Sequence, residues 1–106
     1  MDFEKRIWNA IKIMNEKHNY NPTILIDMIN KYGGIEAVQR LINSSEPTYG
    51  YTKLWELKAL DLSLEAIILE KEWFELFTEG DRIKARNRLK EYGYTPTTKT
   101  LYEIQP

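Results

Sequence analysis

The sequence has no cysteine and only one histidine, and these absences remove several kinds of chemistry. Without cysteine there is no disulfide, no thiolate nucleophile and no cysteine metal site, and nothing points to an oxidising compartment. A cytoplasmic location is therefore expected. The single histidine, His18, excludes a metal site or proton relay built on two histidines of one chain. It stands near the end of a predicted helix, where an imidazolium is favoured, so a structural role is predicted for it.

Long apolar runs are also missing, and charges of the two signs nearly cancel. The opening residues, Met1 to Trp8, mix charged with apolar side chains, and no uninterrupted apolar stretch has the length of a signal peptide or membrane span. We therefore expect no secretion by that route and no membrane partner. The formal net charge of −1 weakens any argument for non-specific nucleic-acid binding, which depends on an excess of Lys and Arg.

The remaining composition is that of an ordinary globular protein. Of the 106 residues, 42% are hydrophobic and 29% charged, which suffices for one domain with a shared interior. We predict a single helical domain over residues 1–94 and an extended C-terminal tail over residues 95–106. The abundance of Ile, Lys and Asn indicates an AT-rich genome, such as that of a low-GC bacterium or its phage.

Apolar residues recur at steps of three and four, which predicts an all-α fold: a compact irregular bundle of about six short helices. The second helix carries apolar residues around more than half of its circumference, so we expect it to be central. The predicted helices cover approximately residues 2–17, 22–32, 35–42, 52–60, 64–77 and 79–92, with a break near Glu70-Lys71 in the fifth.

Capping residues mark where several of these helices begin. Asn21 is predicted as an N-cap before Pro22, Ser63 as an N-cap before Leu64, and Thr78 as the first residue of a capping box that Asp81 completes. Two segments also have strand-like patterns. The alternation over 60–64 is explained better by the Ser63 cap, and 100–104 in the tail can form a short strand if a sheet edge is offered.

Two charged segments follow each other in the second half. Residues 56–81 carry eight acidic and two basic side chains, and five basic residues then stand within 82–90. A basic stripe can contact nucleic-acid phosphates or an acidic partner protein, but pairing between the two segments is the favoured interpretation. The candidate interaction residues in the basic segment are Arg82, Arg86, Arg88 and Lys90.

The acidic residues also allow an enzyme to be considered. Glu65, Glu70 and Glu72 could act as acid and base or hold a divalent ion, although a solvated face explains such a cluster more simply. No calcium-loop or di-iron spacing is present, and Gly33-Gly34 lacks the Lys-Ser or Lys-Thr of a phosphate loop. We therefore predict no cofactor, no metal and no catalytic residue.

The helices on either side of Gly33-Gly34 resemble a helix-turn-helix in outline. Gln39, Arg40 and Asn43 have side chains that can bond base edges, which makes them candidate nucleic-acid contacts. Any two short helices joined by glycine give this outline, however, and the motif's turn would place Gln39 or Arg40 where an apolar residue belongs. The element is a weak indication of DNA recognition.

Trp8 and Ile13 lie outside the main apolar stripe of the first helix, which suits either an association surface or cover by a second layer of helices. We rank first a non-enzymatic interaction module that binds another protein, such as an inhibitor, immunity or accessory protein of a bacterial mobile element or phage. A small nucleic-acid-binding regulator is the alternative, followed by an enzyme that depends on its carboxylates or on a metal.

Overall fold

Six α-helices and two short 3₁₀ segments account for the architecture in the computed structural model, which describes residues 2–94. The prediction of an all-α fold is confirmed, and no strand is present within these residues. The predicted tail and its strand at 100–104 lie outside the described residues. The helices are α1 (Phe3–His18), α2 (Thr23–Tyr32), α3 (Gly34–Ile42), α4 (Tyr49–Glu56), α5 (Leu64–Ile68) and α6 (Glu79–Glu91), with 3₁₀ segments at Leu60–Leu62 and Lys71–Leu76.

Helix α1 follows its predicted pattern closely. Asp2 caps it by accepting a hydrogen bond from the Lys5 backbone N–H at 2.8 Å. Asn19 ends it in the left-handed conformation, with φ of 51°. The buried face consists of the predicted apolar positions Phe3, Ile7, Ala10, Ile11 and Met14. At 16 residues it is the longest helix in residues 2–94, and none of the helices there combines the length and apolar character needed to cross a bilayer.

The central helix is α5, and the prediction that α2 is central is wrong. Only Leu25 and Ile29 of α2 are buried, while Ile24 is 62% exposed. By contrast, four consecutive residues of α5, 65–68, are buried. The number of apolar side chains around a helix shows which faces it can bury, whereas the connections decide how many neighbours surround it. Helix α2 packs mainly on α3, at the edge of the bundle.

Most predicted helix ends in the second half are confirmed. The Ser63 hydroxyl caps α5 by accepting from the Ala66 N–H at 3.1 Å. The preceding residues form a 3₁₀ segment, so the strand alternative for 60–64 is wrong. Glu70 has an extended backbone, which breaks the helix where predicted. Thr78 and Asp81 form the predicted capping box at the start of α6.

Two predictions about helix starts fail. Asn21 does not cap α2: the helix begins at Thr23 after Pro22 without a side-chain cap, and the Asn21 amide oxygen accepts from Asn15 instead. Helix α4 begins three residues earlier than predicted, since Thr48 caps it. Its Trp55, expected to pack inside, is 48% exposed.

Candidate functional site

A mostly apolar cavity of about 110 Å³ lies where the end of α1 and the start of α2 face α4 and α5. Its inner end contains buried Tyr51 and Glu65, and its mouth contains Ile24 and Tyr49, which are 62% and 68% exposed. The remaining lining residues are Met14, Tyr20, Asn21, Pro22, Thr23, Leu25, Leu41, Thr48, Gly50, Leu54, Ser63 and Leu64.

Local geometry at two helix ends shapes this cavity. The left-handed Asn19 turns the chain after α1, so that residues 20–23 line one wall. Opposite them, Thr48 accepts from the Tyr51 N–H at 3.1 Å and thereby starts α4. A Cβ at Gly50 would lie 3.2 Å from the Tyr20 hydroxyl, so the missing side chain lets this wall approach α4 closely.

Tyr51 supplies a polar group that has no protein partner. The side chain is 3% exposed, its hydroxyl is buried, and that hydroxyl finds no hydrogen-bond partner within residues 2–94. Its ring packs edge-on against Tyr92, with centroids 4.8 Å apart. Burial and then the nearby charge of Glu65 raise the pKa of Tyr51 far above its ordinary value, so the phenol stays neutral. Because charges act at short range in a protein, the two polar ends are close.

Glu65 forms a buried ion pair at the same end of the cavity. Its side chain is 4% exposed, and its Oε2 accepts from Arg88 Nη1 at 3.1 Å. Burial raises the pKa of Glu65, while hydrogen bonds from its own backbone N–H and from Arg88 oppose that change. The predicted pairing of acidic and basic segments is confirmed for these two residues.

Arg88 does more than neutralise Glu65, because it also ties the loop after α3 to the bundle. Its guanidinium donates to the backbone carbonyls of Leu41 and Glu46, each at 3.4 Å, and to that of Ser44. It therefore satisfies loop carbonyls and a buried carboxylate with one planar group that has five donors.

Arg82, the other buried arginine of α6, also turns into the protein. It donates to the carbonyls of Phe74 and Phe77 at 2.7 and 2.6 Å, and it lies over the Phe74 ring. Arg82 and Arg88 are each only 8% exposed, so these two candidate interaction residues do not form a surface stripe. Of the other two, Lys90 is exposed and Arg86 is half-buried.

The candidate nucleic-acid contacts on α3 and just after it are bonded to protein groups. Asn43 and Gln39 donate to the Asp81 carboxylate at 2.7 and 3.3 Å, and Arg40 pairs with Glu36 at 2.9 Å. Although burial of Asp81 acts in the opposite direction, the hydrogen bonds from Asn43, Thr78 and Gln39 lower its pKa. The amides of Gln39 and Asn43 thus link α3 to the start of α6.

Trp8 and Ile13, the remaining candidate interaction residues, differ in exposure. Trp8 is 36% exposed on α1, as an association surface requires. Ile13 is half-buried and packs against the core, as the alternative of a covering layer requires. His18 ends α1 and is half-buried. Trp8 is therefore the more accessible of the two on this helix.

The other acidic candidates divide into paired and exposed groups. Glu70 is buried, pairs with Arg6 at 2.8 Å and accepts from the Trp73 indole N–H at 2.9 Å. Glu72 is exposed, as the solvated-face interpretation predicted. In the part of the chain that the structure describes, no three or more His, Asp or Glu side chains form a group that could hold a metal ion.

Sequence reasoning did not find the cavity. It singled out Glu65 as a carboxylate and treated Tyr51 as a core aromatic, but no local signal places them together, because their proximity depends on how α4 packs beside α5. Comparisons with protein-family models, with curated proteins and with solved structures found no match for this chain.

Proposed function

We propose that this protein is a non-enzymatic interaction module that binds another protein, as an inhibitor, immunity or accessory protein of a bacterium or its phage would. Its contact surface is the mouth of the cavity. The observation that carries the proposal is the exposure of Ile24 and Tyr49 on either side of a concave apolar site.

Large apolar side chains exposed around a pocket fit a protein interface better than a bare surface. Isolated exposed apolar residues are common, but Ile24 and Tyr49 share one mouth and lead into an apolar interior. Binding energy at protein interfaces concentrates where a side chain of one partner fills such a pocket and surrounding residues exclude water. Trp8 on α1 offers a second, smaller exposed site.

The environment of the carboxylates supports a non-enzymatic role. Glu65 and Glu70 are each buried and paired with an arginine, an arrangement that suits structural ion pairs. The lack of cysteine supports a cytoplasmic location for the module. The alternative of a nucleic-acid-binding regulator has less support, because Gln39 and Asn43 already bond Asp81.

Site-specific photo-cross-linking tests the proposed surface. A photoreactive phenylalanine analogue at position 24 or 49 is activated in cells of the organism that encodes the protein, and cross-linked products are identified by mass spectrometry. Position 83 on α6 is the matched control, because Ile83 is also exposed, at 40%, but does not line the cavity.

We expect the same protein to be cross-linked from positions 24 and 49 and not from 83. No cross-linked protein from either mouth position, or equal yields from all three, would overturn the proposal. A gel shift with duplex and single-stranded nucleic acid at low salt, where phosphate contacts are strongest, would instead show the alternative function.

A further inference from the structure

We infer that the cavity receives the side chain of a tyrosine of the partner protein, which enters hydroxyl first and hydrogen-bonds the Tyr51 hydroxyl. This inference rests on the proposed function and names the residue that anchors the partner. Three features of the cavity carry it: its size, the unpartnered hydroxyl at its inner end, and the way its charges are already paired.

Size limits the occupant to a single ring. The cavity measures about 110 Å³, and an apolar protein cavity of roughly 150 Å³ holds a benzene molecule. A six-membered ring therefore fits with its outer edge at the open mouth, between Ile24 and Tyr49. An indole is too large. A side chain that enters from the surface also leaves its own backbone outside, which a shallow open cavity allows.

The inner end favours a ring that carries a hydroxyl. A buried hydroxyl without a partner costs free energy, and the Tyr51 hydroxyl has none among the described residues. A phenol both donates and accepts hydrogen bonds, so it can pair with Tyr51 in either direction. A phenylalanine ring would fill the same space and leave the Tyr51 hydroxyl unpaired.

Charge excludes the ionised side chains. The carboxylate at the inner end, that of Glu65, is already held by Arg88 at 3.1 Å. The rest of the lining is mainly apolar, so a lysine, arginine or carboxylate entering from the partner would lose its hydration without full compensation. A neutral phenol avoids this cost and still uses the available polar group.

Two small molecules test the cavity without the partner. p-Cresol reproduces the tyrosine side chain and toluene reproduces that of phenylalanine. Each is titrated into the full chain with isotope-labelled methyl groups, and NMR shifts at Met14, Leu54 and Leu64 report occupation. The variant Tyr51→Phe removes only the hydroxyl, and Tyr32→Phe, at a tyrosine that does not line the cavity, is the matched control.

We expect p-cresol to shift the cavity methyls in a saturable way, and Tyr51→Phe to weaken its binding about three- to tenfold, the effect of one net hydrogen bond. Toluene binding should be unchanged in Tyr51→Phe, and both ligands should bind Tyr32→Phe normally. Because Tyr51→Phe removes an unpaired buried hydroxyl, it should fold at least as stably as the original protein, which a thermal melt checks.

The inference is overturned if p-cresol gives no saturable shift at the cavity methyls, or if Tyr51→Phe binds it as tightly as before. If cross-linking from positions 24 and 49 still succeeds, the proposed function survives that failure. Where the cross-linked peptide is identified, it must contain a tyrosine whose change to phenylalanine weakens binding. Binding of p-cresol without any cross-linked protein would also overturn the inference, since the ring would then come from a free small molecule.

Discussion

Replacing Arg88 with methionine should destabilise the protein in a way that depends on pH. In the native protein the guanidinium neutralises Glu65 and bonds three loop carbonyls, yet only 8% of the residue is exposed. Methionine keeps most of the apolar volume but leaves a buried carboxylate without its partner. Breaking a buried ion pair in this way costs about 3–5 kcal/mol, a large share of the stability of a small domain.

The pH dependence follows from how Glu65 escapes that cost. Without Arg88 the buried carboxyl takes up a proton on folding, whereas in the unfolded chain it ionises near its ordinary pKa of 4.5. Because the folded state then binds more protons, the free energy of unfolding falls as pH rises, by about 1.4 kcal/mol per pH unit. The loss begins above pH 4.5 and reaches about 3 kcal/mol between pH 5 and pH 7.

Urea unfolding at pH 5, 6 and 7, followed by tryptophan fluorescence and circular dichroism, measures this slope. The double variant Arg88→Met with Glu65→Gln is the control, because it has the same lost arginine but no group to titrate at position 65. The difference in unfolding free energy between single and double variants should grow by about 1.4 kcal/mol per pH unit. Parallel pH profiles would refute the reasoning.

Three further changes probe the capping box and the core. Thr78→Ala removes the α6 cap and should cost about 1 kcal/mol by urea unfolding; a loss below a few tenths would contradict the capping role. Ile67→Ala, at a fully buried position of α5, should cost about 2–5 kcal/mol, while the same change at exposed Ile83 should cost much less; equal losses would contradict the central place of α5. Because the pKa of Asp81 is lowered, its contribution is present above pH 3.8 and is lost as pH falls through its folded pKa. The stability advantage over Asp81→Asn should therefore shrink in an acid titration below about pH 4, and an unchanged difference would show that Asp81 is not stabilised as a carboxylate.

Interactions that span a few residues could be predicted from the sequence. The caps at Ser63 and Thr78, the break near Glu70 and the buried stripe of α1 are confirmed, because each depends on hydrogen bonds or spacing within about one helical turn. Even locally there were errors: Asn21 has the residue type of an N-cap, but its side chain bonds Asn15 across the turn instead.

Interactions between distant segments were decided only by the tertiary structure. Helix α6 carries basic residues around its whole circumference, so periodicity alone does not show which of them face inward. The packing of α6 against α5 and the loop after α3 turns Arg88 towards Glu65, 23 residues away. Glu70 likewise finds Arg6 across 64 residues of chain.

The residues themselves thus determined the all-α class, the positions of several helix ends and the supply of opposite charges that could pair. Which charges are buried, which helix is central, and the cavity that brings Tyr51 beside Glu65 depend on how short helices pack. A hydrogen bond between neighbouring residues is set by local backbone geometry, whereas a cavity exists only where several separate elements meet and leave space between them.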